Sequence, residues 1–145
     1  PDSWTPEQAR MLVESFIHWA EETPRENFQL AIVHVETNQL LGSCGVRKKG
    51  YSEGQAAFGI GIDAHWWRRG IAKEAARTIL EFGFHKLDLQ EIHSETVSAN
   101  EGAVKLVEGL GFIREESRPT ESWMAERGWT AVNWVLTRDV WKPRR

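Results

Sequence analysis

Trp67-Arg68-Arg69-Gly70-Ile71-Ala72-Lys73-Glu74-Ala75 decides the reading of this chain, because it sets arginines and a glycine where an extended run gives way to an amphipathic helix. Ahead of it, Ala57-Phe58-Gly59-Ile60-Gly61-Ile62 is short, apolar and interrupted by glycine, which predicts a strand. Behind it, apolar residues recur at Ile71, Ala75 and Ile79 and at Ala72, Ala76 and Leu80, with helical spacing. The segment therefore joins a strand's exit to a helix's start. The first amides of a helix have no partner within it, the helix dipole adds roughly half a positive charge, and Arg68 and Arg69 add full ones. Such a place suits a pyrophosphate. Taken alone, the pattern fits an ordinary turn with surface arginines equally well.

Working outward, 145 residues with 41% hydrophobic and 27% charged side chains predict one domain over 1–145 with a real core. A formal charge of −3 argues against a protein that coats nucleic acid, and Lys142-Pro143-Arg144-Arg145 reads as a basic terminus. Cys44 is the single cysteine, so no disulfide framework exists, and its apolar setting suggests a buried thiol in a reducing compartment. No signal peptide or membrane span is legible, which predicts a cytoplasmic protein. The 8 tryptophans fit core and lining roles and specify no ligand by themselves.

Thr5-Pro6-Glu7-Gln8 carries the marks of a capped helix start, with Leu12, Phe16 and Trp19 on one face. Runs over 28–36 and 40–47 flank Thr37-Asn38-Gln39 and predict a hairpin, and a strand over 56–62 extends it as an antiparallel group. A helix over 70–86 then crosses to a strand over 91–97 that should lie parallel to its predecessor. Ser98-Ala99-Asn100-Glu101 starts a further helix, Gly111 should close it in the left-handed region, and strands over 112–116 and 129–137 end the domain around a loop over 118–128.

This order of elements, with Trp-x-x-Gly-x-Ala-x-Glu-Ala opening one helix and Asn100 leading another that ends in Leu110-Gly111-Phe112, resembles the GNAT acetyltransferase superfamily. Leu40-Leu41-Gly42-Ser43-Cys44-Gly45 resembles the hairpin motif of its RimJ/RimL-like branch, and the likeness runs from about residue 4 to 141. It implies an α/β (α+β) fold: a mixed, mostly antiparallel central sheet, two splayed parallel central strands, and flanking helices.

The resemblance implies acetyl-CoA as cofactor. Its pyrophosphate would meet the amides of Arg68, Arg69, Gly70, Ile71 and Ala72, and its pantetheine arm would lie against Ile60, Gly61 and Ile62 like an added strand. Asn100 matches an asparagine that contacts the cofactor arm in the family, although it and Ser98 with Glu101 also offer rival helix caps. Lys105 reads as a surface lysine within reach of a phosphate. The reaction implied is attack of a neutral primary amine on the thioester, the acceptor being a protein N-terminus or a small amine. An amide near residues 60–62 would stabilise the oxyanion.

His93 and Glu95 share one face of their strand and are the candidate proton relays, provided that face lines the acceptor cleft; a structurally satisfied pair is the competing reading. Val107 stands where many members carry a tyrosine acid, and Ala103 stands where branch members carry a serine. Ala57 and Ala64 replace a glutamate and a proline of the family pattern. Trp66, Trp67, Trp123, Trp129 and Trp134 are candidates for an apolar acceptor wall. The family's leading strand and helix have no counterpart before Thr5: either a leading segment is missing from this sequence or the domain lacks it, and its lack would leave an open sheet edge suited to a homodimer. A non-catalytic acyl-CoA-binding or regulatory domain is the alternative function.

Overall fold

The first helix forms as its capping residues dictate. Thr5 Oγ1 accepts the Gln8 amide at 3.1 Å while Gln8 Oε1 accepts the Thr5 amide at 2.9 Å, and Pro6 sits in the first turn. In the computed structural model, which describes residues 5–115 and 126–141, this helix is α1, Pro6–Glu21. Two antiparallel strands follow, β1 (Asn27–Val33) and β2 (Leu40–Arg47), and β3 (Gln55–Ile62) pairs antiparallel with β2. β1 stops short of the expected residue 36 because the turn closes early. The His34 amide donates to the Gln39 carbonyl and the Asn38 amide to the His34 carbonyl, each at 2.8 Å.

A short 3-10 turn, Ala64–Trp66, leads into α2 (Ile71–His85), which crosses over to β4 (Glu91–Val97). α3 (Glu101–Gly109), a two-residue β5 (Ile113–Arg114) and β6 (Ala131–Thr137) complete the described chain. The sheet order is β1-β2-β3-β4-β6-β5, with β3 and β4 parallel and every other pair antiparallel. That is the mixed, mostly antiparallel sheet expected, with a shorter fifth strand and a last strand that begins two residues later. Gly111 closes α3 at φ +97°, its amide donating to the Glu108 carbonyl at 3.1 Å.

Strand alternation divides the sheet into two unlike faces. On one, Val46, Phe58, Ile92, Trp134 and Leu136 pack with Ala76, Ile79, Leu80 and Phe84 of α2 and Val107 of α3. Trp134 therefore belongs to the core and not to an acceptor wall; it is 3% exposed and its Nε1 donates to Thr96 Oγ1 at 2.8 Å. Trp123 lies outside the described residues. On the other face, α1 covers only the β1 side. There the Arg47 guanidinium lies 5.9 Å from the Phe16 ring and 5.2 Å from the Trp19 ring, and donates to Gln29 Oε1. Burial holds the Arg47 pKa below the usual guanidinium value.

β2 and β3 approach closely because Gly42 carries no side chain. A Cβ there would stand 2.0 Å from the Gly61 carbonyl oxygen, so Gly42→Ala must part strands that position the rest of the molecule. Its stability in a urea titration is expected to fall by more than about 2 kcal/mol.

Candidate active site

Parallel pairing between β3 and β4 lasts for three rungs, Gln55 with Glu91, Ala56 with Ile92 and Ala57 with His93, and then stops. β3 continues to Ile62 on its β2 side, so the sheet opens into a fork from Phe58 onward. Two carbonyls facing the fork are held by side chains: Ser94 Oγ donates to Phe58 O at 3.3 Å and Trp67 Nε1 to Ile62 O at 2.7 Å. Backbone groups along a strand alternate sides, so the amide and carbonyl of Ile60, midway between them, also face the gap. They have no partner among the described residues. An extended chain can pair there as an added strand.

Beyond β3 the chain turns sharply. Arg68 has φ +63° and Gly70, the N-cap of α2, has φ +77°. Gly70 supplies no side-chain cap, whereas Thr5 caps α1 and Asn100 caps α3 through a 3.0 Å bond from the Ala103 amide. None of the amides from Arg68 to Lys73 has a hydrogen bond among the described residues. They line one end of a cleft of about 720 Å³ that runs from Ile60, Gly61 and Ile62 past Arg68, Gly70, Ile71, Ala72 and Lys73 to Asn100 and Lys105. That size suits a cofactor-sized ligand. Unpaired amides, the dipole of α2, and the cations Arg68, Lys73 and Lys105 give this end a positive field, and the open Ile60 backbone gives the other end hydrogen-bonding capacity.

Most residues expected at the cofactor therefore come together. The Arg69 guanidinium lies 4.9 Å from the ring of Trp66, a wall residue, while Arg69 itself is not part of the cleft wall. Ser98 is not the rival cap, because it exchanges hydrogen bonds with Thr130. Asn100 both caps α3 and lines the cleft. Trp66 and Trp67, candidates for an acceptor wall, line this cleft, and the Trp67 indole also caps the end of β3. Ser94, Trp67 and Lys73 were not singled out for these roles; the alternation of β3 would have given the first two only with the fork already known.

His93 and Glu95 lie on the sheet face opposite α2 and α3, not in this cleft. His93 stands at the last rung, with Nε2 3.3 Å from Glu91, Nδ1 3.5 Å from Glu115 and its ring stacked on Tyr51 at 5.9 Å. Glu95, two residues into the fork, is exposed and has no partner among the described residues. Gly59 and Gly61 share this face, and nothing lies within 4 Å of where their Cβ atoms would stand. Cys44 is buried on the core face, and burial pushes its thiol up to about 11.

Residues 1–113 match the family model for an acetyltransferase (GNAT) domain. Among curated proteins, the chain is 28% identical over 108 residues to the uncharacterized N-acetyltransferase p20 of Bacillus licheniformis, covering 74% of this chain and 60% of that one. It spans about 60% of the length of the curated relatives it matches first. Among solved structures, spermidine N-acetyltransferase from Vibrio cholerae in complex with CoA and spermine superposes with a TM-score of 0.77 at 19% identity, over 97% of this chain and 79% of that one. Ribosomal-protein-S5-alanine acetyltransferase from Vibrio fischeri gives 0.77 at 18% identity, over 96% and 75%. At this identity the likeness is one of fold.

Gly70→Val puts a branched side chain at φ +77° and over the amides that face the cleft. Its affinity for coenzyme A, measured by calorimetry, is expected to drop by about tenfold or more while the circular dichroism spectrum is retained.

Proposed function

The chain belongs to the GNAT acetyltransferase family, and on that premise we propose that it moves an acetyl group from acetyl-CoA to a primary amine. One observation carries the reading: an uncapped helix start with free amides sits at the mouth of a parted pair of parallel strands. Acetyl-CoA, when bound, supplies a thioester whose carbonyl carbon takes the amine nitrogen and whose sulfur departs. The amides from Arg68 to Ala72 hold the pyrophosphate, with Gly70 leaving them uncovered and Arg68 and Lys73 adding charge. The Ile60 backbone and Asn100 hold the arm.

On the opposite face, Glu95 takes the proton that the ammonium must lose, directly or through one water. An α-amino group with a pKa of about 7.7–8.0 yields that proton far more readily than a lysine at about 10.4, so a weak base suffices. His93, already engaged by Glu91 and Glu115, orients that wall and does not relay. Departure of a thiolate with an ordinary pKa of about 8.5 needs no acid, which agrees with a buried Val107 and an apolar Ala103. The two solved neighbours act on a polyamine and on a ribosomal protein by their names, and both acceptor classes enter the proposal. Exposed Leu30, Val33 and Leu40 near the outer edge of β1 support self-association there. No helix among the described residues is long and apolar enough to cross a membrane.

Thiol release from acetyl-CoA across an amine panel tests the reading. Glu95→Gln is expected to lower kcat/KM by roughly 10²-fold with coenzyme A affinity unchanged, and His93→Gln to cost far less. Cofactor binding without turnover on any amine identifies the regulatory domain instead.

A further inference from the structure

The open face of the sheet holds two charges of opposite sign that the chain itself leaves unmatched. Val46, Phe58 and Ile92 point into the core, so strand alternation sets Arg47, Ala57 and His93 side by side on the other face, across β2, β3 and β4. The Arg47 guanidinium, part-buried beside Phe16 and Trp19, donates from Nε and Nη2 to one neutral atom, Gln29 Oε1, at 3.3 Å. Nη1 makes no hydrogen bond among the described residues, yet it is not a sealed atom and stays open to solvent. No carboxylate among the described residues pairs with this cation, although the chain carries 21 acids against 18 lysines and arginines. Taking a guanidinium partly out of water with no acid beside it is costly. Glu95, two residues along β4 from His93, is the converse: an exposed carboxylate with no cation among the described residues. His93 cannot supply one, since Glu91 and Glu115 engage both its nitrogens. Strand spacing and rise set the Arg47 and Glu95 Cα atoms about 12 Å apart or more, so the two do not neutralise each other. The row between them carries Gly45 and Gly59, with Gly61 one step further, and nothing lies within 4 Å of where a Cβ of Gly59 or Gly61 would stand.

Resting on the acetyl-transfer reading, we infer that the acceptor is a zwitterion: a primary amine whose ammonium meets Glu95 and whose carboxylate, several bonds away, meets Arg47. The ligand lies over the bare faces of Gly59 and Gly61 and brings to each end the charge that the sheet lacks there. A carboxylate takes charge-assisted hydrogen bonds from a guanidinium that the neutral Gln29 amide does not replace. A linear polyamine sets a second ammonium against Arg47 and is repelled, and a neutral amine leaves the guanidinium as it found it. Arg47 thus selects among amines by charge, while Glu95 acts on the nitrogen that all of them share.

The test compares linear ω-amino acids of increasing length, each against its own amide, with wild type and Arg47→Met, which keeps an apolar stem beside Phe16 and Trp19. At the best length, wild type is expected to favour the acid over the amide by about tenfold or more in kcat/KM. Arg47→Met is expected to erase that preference through the KM of the acid, with kcat, turnover of the amide and affinity for coenzyme A little changed. No preference for the acid at any length, or a preference that survives Arg47→Met, overturns the inference while leaving acetyl transfer standing. If no amine is turned over, the acetyl-transfer reading fails by itself, and a second measurement decides this one, as it does if Arg47→Met does not fold. With coenzyme A present, the Arg47 Nε–H resonance of the wild type, identified by its loss in Arg47→Lys, is expected to shift on titration with the ω-amino acids but not with their amides; no shift overturns the inference.

Discussion

The abrupt end of parallel pairing after Ala57 and His93 is the constraint on which the rest depends. A β-strand that loses a neighbour exposes backbone donors and acceptors, and folded proteins seldom leave such groups unpaired. Here the loss is managed at both ends of the open stretch, by Ser94 on the Phe58 carbonyl and by Trp67 on the Ile62 carbonyl. Between them, the Ile60 amide and carbonyl have no partner among the described residues. The core beneath the opening stays filled, with the Phe58 and Phe112 rings 6.0 Å apart and Trp134 anchored to Thr96. The sheet can therefore part without a hole forming in the core.

The turn that follows makes that opening the proposed anion site. Placing a non-glycine residue in the left-handed region costs about 1–2 kcal/mol, and Arg68 accepts that cost at φ +63°. What the conformation gains is a run of amides from Arg68 to Lys73 pointing outward where α2 begins. Each charge-assisted hydrogen bond to a phosphate is worth about 1.5–3 kcal/mol, so two such bonds exceed the strain. Absence of a serine, threonine or aspartate at the N-cap belongs to the same design. A side-chain cap would satisfy amides that the proposed pyrophosphate site leaves open.

Much of this was legible in the sequence. Capping residues marked α1, glycine marked the end of α3, and the switch from a short apolar run to helical spacing around Gly70 placed the loop. Edges were less legible, because they depend on tertiary partners: His34 entered a turn through Gln39, and β5 kept only the residues that β6 could pair. Tryptophan roles were the least legible of all. Trp134 and Trp67 are chemically alike, yet one is a core residue bonded to Thr96 and the other caps a strand end, and nothing in their local sequence separates them.

The arrangement also bears on whether the acetyl group visits the protein on its way to the amine. Cys44 pairs in register with Ile60, one strand from the proposed cofactor arm, and would be the obvious acceptor for a two-step transfer. It lies on the core face, its Sγ 4.0 Å from the Ala75 carbonyl, and burial pushes its pKa up to about 11, so it stays a protonated thiol at neutral pH. Ser94, the hydroxyl at the fork, gives its proton to the Phe58 carbonyl, and the adjacent His93 is on the other face of the sheet and cannot serve it as a base. Glu95 is instead free on the face from which an amine would approach. Neither Cys44 nor Ser94 is thus an activated nucleophile. The proposed base, Glu95, stands on the open face of the sheet, and the proposed transfer passes in one step through the gap between β3 and β4.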